Sequence, residues 1–189
     1  MSSRSSGERL IRVGIVCFLA TCVLLFVLGW WLGPPDLDSP GYPISEVAQV
    51  QADETWLVTL DSSDIEQWRG FSLTLGRPVP QGAAADFYVR RFLLRAPRGA
   101  ADLGKQPLHT ANHNESIDWK TDIIIDGISR NPVLSGWFRY SYLTHLLRSE
   151  EHTYAVRLGT GVGFIQVLSY YCQPTDSGCL TIRYRLAEP

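Results

Sequence analysis

The sequence has little excess charge of either sign. Its 189 residues carry 17 Lys and Arg against 19 Asp and Glu, which gives a formal net charge of −2. Nucleic-acid-binding surfaces normally need a basic excess, so we expect no nucleic-acid partner. Charged residues make up 19% of the chain and hydrophobic residues 45%, proportions that argue against a disordered chain and suit one folded domain.

Catalytic signatures are also missing. The sequence has no H-E-x-x-H, G-x-S-x-G or P-loop motif, and no C-x-x-C-H for covalent haem attachment. The glycines of residues 159–163 lead into a strand-like run, which favours a hairpin over a phosphate-binding loop. Asp118, Asp122 and Asp126 recur every four residues without a calcium-loop pattern, so a solvated surface is favoured over a cation site. We therefore predict no enzymatic activity and no metal site.

One long uncharged run near the N-terminus predicts a membrane-spanning helix. Residues 13–32 contain no charge, and a helix of this length rises about 30 Å, the thickness of a bilayer core. Arg9 and Arg12 precede the run and acidic residues follow it, so the positive-inside rule predicts a cytoplasmic N-terminus. Trp30 and Trp31 suit the far headgroup region. We expect these four side chains to be interface anchors in a bacterial inner membrane, with the lipid bilayer as a partner and the C-terminal domain in the periplasm.

Two alternatives to a permanent anchor are weaker. A cleaved signal peptide would need a small-x-small site after the apolar run, and none is present. Residues 19–22 resemble a lipobox, but cleavage there would leave an apolar run at the start of the mature chain. We predict four segments: a cytoplasmic tail over 1–12, a transmembrane helix over 13–32, a Pro-rich tether over 33–53 and an exported domain over 54–189.

The cysteines divide between two environments. Cys17 and Cys22 lie in the apolar run, while Cys172 and Cys179 bracket the turn-forming residues QPTDSG between two strand-like runs. This spacing allows the second pair to face each other across a hairpin, which predicts a disulfide in an oxidising compartment. A metal site is the weaker alternative because no second Cys or His pair stands nearby.

Short β-rich runs recur after the tether and are separated by turn-forming residues. They cover residues 55–60, 71–75, 87–95, 123–125, 153–158, 163–171 and 179–186. In the last run Leu180, Ile182 and Tyr184 alternate with polar residues, as in a strand with one buried face. The pattern predicts a mainly β, antiparallel domain. Between residues 134 and 147 no period holds, and a short helix or an irregular loop both stay open.

Several motifs of this domain occur in a recognisable order. They are FSL (71–73), DFYVRRF (86–92), GWFRY (136–140), THLL (144–147), YAVR (154–157), IQVLSYY (165–171) and GCLTIRY (178–184). In order and spacing they resemble the HmuY-like family of exported bacterial proteins, over roughly residues 55–184. The resemblance implies a β-rich fold. It also implies haem as a ligand, because known haem binders of the family hold haem between two histidines.

Four histidines are available for such a role. His109 and His113 lie in a polar loop, His145 lies in the THLL motif, and His152 follows two glutamates. Two axial imidazoles would leave the iron no open coordination position. For a bound haem, the ligand pair we favour is His113 with His145.

The predicted anchor favours a different role. Haem scavengers of the family are lipoproteins or released proteins, whereas a spanning helix would fix this chain at the inner membrane. Our leading hypothesis is a non-catalytic accessory subunit without a cofactor, whose periplasmic domain docks on and stabilises a larger integral-membrane complex, such as a photosynthetic or respiratory electron-transfer complex. The helix would raise the local concentration of the domain beside its host. The alternative is a membrane-tethered periplasmic haem-binding protein of the HmuY type.

Overall fold

The computed structural model describes residues 4–31, 40–80, 83–112, 117–142, 144–173 and 176–187. The chain divides into two compact units, one ending at Asp38 and the other beginning at Ser39.

The first unit contains one helix, α1, over Arg4–Trp31. Within it, Leu10–Gly29 has a mean hydropathy of 2.7, so by length and composition it can cross a membrane. Arg12 is exposed, whereas the side chains of Arg9, Trp30 and Trp31 lie outside the described residues. Their role as anchors, and the orientation of the helix in an inner membrane, stay predictions.

The second unit is built from fourteen strands among the residues that the structure describes. They are β1 (Gln49–Val50), β2 (Trp56–Asp61), β3 (Arg69–Ser72), β4 (Arg77–Val79), β5 (Phe87–Arg90), β6 (Leu93–Arg95), β7 (Ala100–Asp102), β8 (Ile123–Ile125), β9 (Ile128–Arg130), β10 (Phe138–Tyr140), β11 (Leu147–Ser149), β12 (Thr153–Arg157), β13 (Val162–Tyr171) and β14 (Ser177–Leu186). Two 3₁₀ helices cover Leu108–Thr110 and Leu134–Gly136.

All strand pairs are antiparallel, which confirms the predicted fold class. The larger sheet has six strands in the order β1-β2-β14-β13-β12-β7, and the second has four in the order β4-β3-β5-β6. Two separate hairpins, β8-β9 and β10-β11, complete the domain. The alternation predicted for β14 holds only in part: Leu180, Ile182 and Tyr184 are buried and Arg183 is partly exposed, but Cys179 and Thr181 on the other face are buried as well.

Aromatic side chains join the two larger sheets. Phe71 and Phe87 of the four-stranded sheet have ring centroids 5.4 Å apart, and Phe71 meets the edge of the Tyr184 ring of the six-stranded sheet at 6.2 Å. All three rings are almost completely buried. Since each aromatic side chain can remove on the order of 150–250 Å² from water, these contacts contribute strongly to the main core.

Two sequence predictions differ from the structure in detail. The run 87–95 forms two strands instead of one, because Arg91 adopts a positive φ of 52° and its N–H donates to the carbonyl of Ser62. The chain therefore turns after β5 and pairs with itself as β6. The segment without a period, residues 134–147, contains both a 3₁₀ helix and part of the β10-β11 hairpin.

Cys172 and Cys179 form the predicted disulfide at the end of the β13-β14 hairpin. The N-terminal part of the domain passes directly over it. The backbone N–H of Tyr42 donates to the carbonyl of Tyr171. A Cβ on Gly41 would lie 2.4 Å from the carbonyl oxygen of Cys172. Only glycine fits this close approach. These residues belong to the predicted tether, so part of that segment packs on the domain.

We expect loss of this disulfide to destabilise the domain. A Cys172→Ser, Cys179→Ser variant should lose about 2.5 kcal/mol of unfolding free energy, the loop-closure contribution for so short a loop. Urea unfolding of the full chain in detergent measures this loss. The matched control is Cys17→Ser, Cys22→Ser, which changes the free cysteines of α1 and should leave the transition in place. Equal stability of the two variants would contradict the prediction.

Two buried tyrosines couple stability to alkaline pH. Burial raises the pKa of Tyr184 to about 12. Burial, with smaller contributions from Asp102 and Glu150, raises the pKa of Tyr154 well above its usual range. The Tyr154 hydroxyl has no hydrogen-bond partner among the described residues. Above about pH 10 the unfolded chain therefore releases protons that the folded domain retains, and stability falls as pH rises.

We expect Tyr154→Phe to raise the free energy of unfolding by about 1 kcal/mol at pH 8, because it removes an unpaired buried hydroxyl. The same variant should lose less stability than the wild type between pH 9 and 11. Tyr142→Phe is the control, since Tyr142 is 86% exposed. Urea titrations at each pH test both statements, and an unchanged pH slope in Tyr154→Phe would refute the second.

Candidate functional site

The β10-β11 hairpin presents a cluster of polar aromatic side chains to solvent. We call Tyr140, Tyr142 and His145 the tyrosine–histidine patch. The hydroxyl of Tyr140 lies 2.6 Å from Nδ1 of His145, and the rings of Tyr140 and Tyr142 meet edge to face at 5.1 Å. All three side chains are exposed. The sequence analysis identified His145 but missed both tyrosines, although their spacing around the THLL motif is visible in the sequence.

The base of the hairpin is firmly held by the core. The indole N–H of Trp137 donates to the carbonyl of Phe92 at 2.8 Å, and Phe138 packs edge to face on the ring of Phe92. The Tyr171 hydroxyl accepts from the N–H of Leu147 at 2.7 Å. These contacts fix the strands on either side of the patch, so its side chains project from a rigid support.

His145 itself has an unusual backbone conformation. Its φ is 56°, in the left-handed region, and its N–H donates to the carbonyl of Ser141 at 2.8 Å. A non-glycine residue in this region costs about 1–2 kcal/mol. The hydrogen bond from Tyr140 to Nδ1 fixes the imidazole orientation, and Nε2 has no partner among the described residues. An oriented imidazole with one free nitrogen is a suitable metal ligand.

The other histidines lie elsewhere. His109 is exposed in the 3₁₀ helix Leu108–Thr110, and His152 is held by Asp102, with Nδ1 2.8 Å from the carboxylate. His113 lies outside the described residues. The backbone just before it is anchored at Ala111, whose carbonyl accepts from Arg185. Pairing of His113 with His145 therefore stays a prediction.

A cleft of about 410 Å³ lies elsewhere on the domain and was missed by the sequence analysis. Hydrogen bonds hold its two aspartates in place. Ser63 donates to Asp61, and the backbone N–H groups of Gln67 and Glu66 donate to Asp64, which lowers the pKa of both carboxyls. These bonds shape the turn between β2 and β3. Among the described residues, no group of three His, Cys, Asp or Glu side chains could hold a metal ion.

No protein-family model and no curated protein matches the sequence. Solved structures do match. A proposed HmuY-like haem-binding protein from Bacteroides vulgatus is 15% identical, with a TM-score of 0.61 over 75% of this chain and 96% of the other. A proposed lipoprotein from Bacteroides fragilis is also 15% identical, with a TM-score of 0.62 over 77% of this chain and 98% of the other.

The apo HmuY analogue of Tannerella forsythia is also similar, with 15% identity and a TM-score of 0.61 over 71% of this chain and 96% of the other. The domain has an HmuY-like fold. The resemblance inferred from the sequence is thereby confirmed at the level of the fold. By name, the first of these proteins is haem-binding, the second is a lipoprotein and the third is an HmuY analogue.

The left-handed backbone of His145 gives a direct test of the patch. We expect His145→Val to unfold about 1–2 kcal/mol more easily than His145→Gly, because a β-branched residue is strained there and glycine is not. Both variants lose the Tyr140 hydrogen bond, so their difference isolates the backbone. At Arg139, an exposed position in β10, we expect Arg139→Val to be more stable than Arg139→Gly, because valine favours strands. Urea unfolding of the four variants provides the measurement, and a valine variant that is more stable than the glycine variant at position 145, as at position 139, would show that His145 is unstrained.

Proposed function

We propose that the HmuY-like domain binds haem at the tyrosine–histidine patch, with His145 as an axial ligand. The observation that carries the proposal is the pairing of His145 with Tyr140. Nδ1 is engaged at 2.6 Å, which leaves Nε2 as the nitrogen that could bind iron. The HmuY-like structures named above support the same ligand class.

The surroundings of His145 suit a flat, apolar macrocycle. Tyr140 and Tyr142 offer exposed aromatic surface, 38% and 86% accessible respectively, against which a porphyrin could pack. A bound haem would supply iron for ligation, and the protein would supply orientation and contact surface.

The backbone of His145 adds to this argument. Strained residues persist where the surrounding structure holds them, and they cluster at functional sites. Here the Ser141 carbonyl accepts from the backbone N–H of His145, and the Tyr140 hydroxyl bonds to Nδ1 of its side chain.

For the second axial position we keep the sequence prediction of His113. The described chain reaches Asn112, the residue directly before it. Ala111 packs with Phe164 near the start of β13, whereas the hairpin that carries His145 is bonded to Tyr171 at the end of that strand. These two positions on β13 are about 23 Å apart at 3.3 Å per residue. Residues 112 and 113 would therefore have to lead back toward the hairpin for both imidazoles to bind one iron.

We further propose that the chain acts at a membrane, anchored by α1 in a bacterial inner membrane with the domain on the periplasmic side. The apolar segment Leu10–Gly29 and the proposed lipoprotein among the similar structures support attachment or export. The accessory-subunit role stays a prediction, since nothing in the comparisons bears on a host complex.

Titration of the full chain in detergent with haemin tests the ligand assignment. The wild type should give a saturable shift of the Soret band. His145→Ala should weaken binding about tenfold or more, a loss of about 1.4 kcal/mol or more. His152→Ala is the matched control because that imidazole is held by Asp102. Equal binding by the wild type and His145→Ala would refute the proposed site.

The same titration separates the two axial positions. With both imidazoles bound, the wild type should show a six-coordinate low-spin spectrum. His113→Ala should then convert it to a five-coordinate high-spin spectrum while binding persists. A spectrum that is unchanged in His113→Ala would remove His113 from the ligand set and leave the role of His145 intact.

A further inference from the structure

Apolar side chains remain exposed around one edge of the six-stranded sheet. We call Ile44, Val47, Val50, Trp56 and Leu75 the apolar edge. The four aliphatic side chains are 51–61% exposed, and Trp56 is 37% exposed. These values are far from the near-zero exposure of the core, so the apolar edge is not needed to complete the interior of the domain.

Backbone contacts bring these residues together. Val50 is the direct cross-strand partner of Trp56 in the β1-β2 pair. The N–H of Ala48 donates to the carbonyl of Gly76 at 2.7 Å. Val47 and Leu75 directly precede these two residues in the chain, so the hydrogen bond brings them near each other. Ser45 follows Ile44, and its N–H donates to the carbonyl of Thr59 in β2. The five side chains therefore lie along the β1 side of the sheet.

The charged groups nearby are balanced or engaged. Glu46 forms an ion pair with Arg69 at 2.5 Å, and Asp53 accepts hydrogen bonds from Thr55. Exposed Glu54 and Arg77 carry opposite charges. An apolar surface without a strong field of one sign matches the boundary between headgroups and acyl chains of a neutral bilayer. Trp56 adds an amphipathic indole, which is favoured at that boundary.

We propose that the apolar edge rests on the surface of the bilayer that α1 spans. The argument for lipid is the length of the connecting chain. Only residues 32–39 separate α1 from Pro40, and fully extended they reach about 30 Å. Ile44 follows Pro40 by four residues. A bilayer around α1 is thus always within reach of this edge, whereas a protein partner would have to be recruited.

Spin labels on the full chain in phosphatidylcholine nanodiscs test the proposal. In a Cys17→Ser, Cys22→Ser background, a nitroxide is attached through Val50→Cys or Leu75→Cys. The matched control is Ile124→Cys, which is apolar and 76% exposed. Lys120, four residues earlier in the chain, bridges to β7, the opposite edge of the sheet, about 24 Å from β1. Urea unfolding verifies that each labelled chain is folded.

We expect labels at positions 50 and 75 to collide mainly with oxygen, which partitions into lipid, and the label at 124 to collide mainly with a water-soluble nickel chelate. Nickel-dominated collisions at all three positions would overturn the proposal. So would labels at 50 and 75 that are immobilised and shielded from both reagents, since that result indicates contact with another protein copy. Oxygen-dominated collisions at 124 alone would place the opposite edge on the membrane. The proposal rests on the proposed anchoring by α1, but no haem enters the experiment, so its outcome is independent of the proposed haem site.

Discussion

Strands β13 and β14 are each ten residues long and pair along most of their length. The other elements take their positions from this pair. β14 pairs with β2 on its other side, β13 pairs with β12, and the side chains of both strands meet the four-stranded sheet in the main core. The hairpin that carries His145 depends on the same ladder, because it is bonded to Tyr171 and to the carbonyl of Val167. Burial of this central pair is therefore the constraint on which the neighbouring strands and the hairpin depend.

This arrangement explains how 15% identity can accompany a shared fold. The contacts that define the sheets need apolar side chains of suitable size at alternating positions, and many sequences satisfy that need. The chemistry of a site depends on particular atoms, such as Nδ1 of His145 and the hydroxyl of Tyr140, and these lie on the β10-β11 hairpin outside the two larger sheets. Fold and ligand are therefore supported by different residues of this chain.

The sequence was most informative where one physical rule dominated. Alternation revealed the buried face of β14, and the spacing of Cys172 and Cys179 around a turn revealed the disulfide. It failed where long-range contacts decide the conformation. The turn at Arg91 depends on a hydrogen bond to Ser62, and the orientation of His145 depends on Tyr140 across an aperiodic loop. Neither contact belongs to a periodic pattern of apolar residues, which is the signal that a sequence shows most clearly.

The two proposed surfaces occupy different parts of the sheet, and this separation has a physical consequence. The apolar edge follows β1, whereas the tyrosine–histidine patch is supported from β13, three strand spacings or about 14 Å away. A domain that rests on lipid through β1 would keep Tyr142 and His145 exposed for a ligand. Contact with the bilayer would also restrict the orientations of the domain, so that an entering ligand meets the hairpin in a narrower range of directions. The anchor would then do more than limit diffusion, because it would determine which side of the β domain faces the aqueous phase.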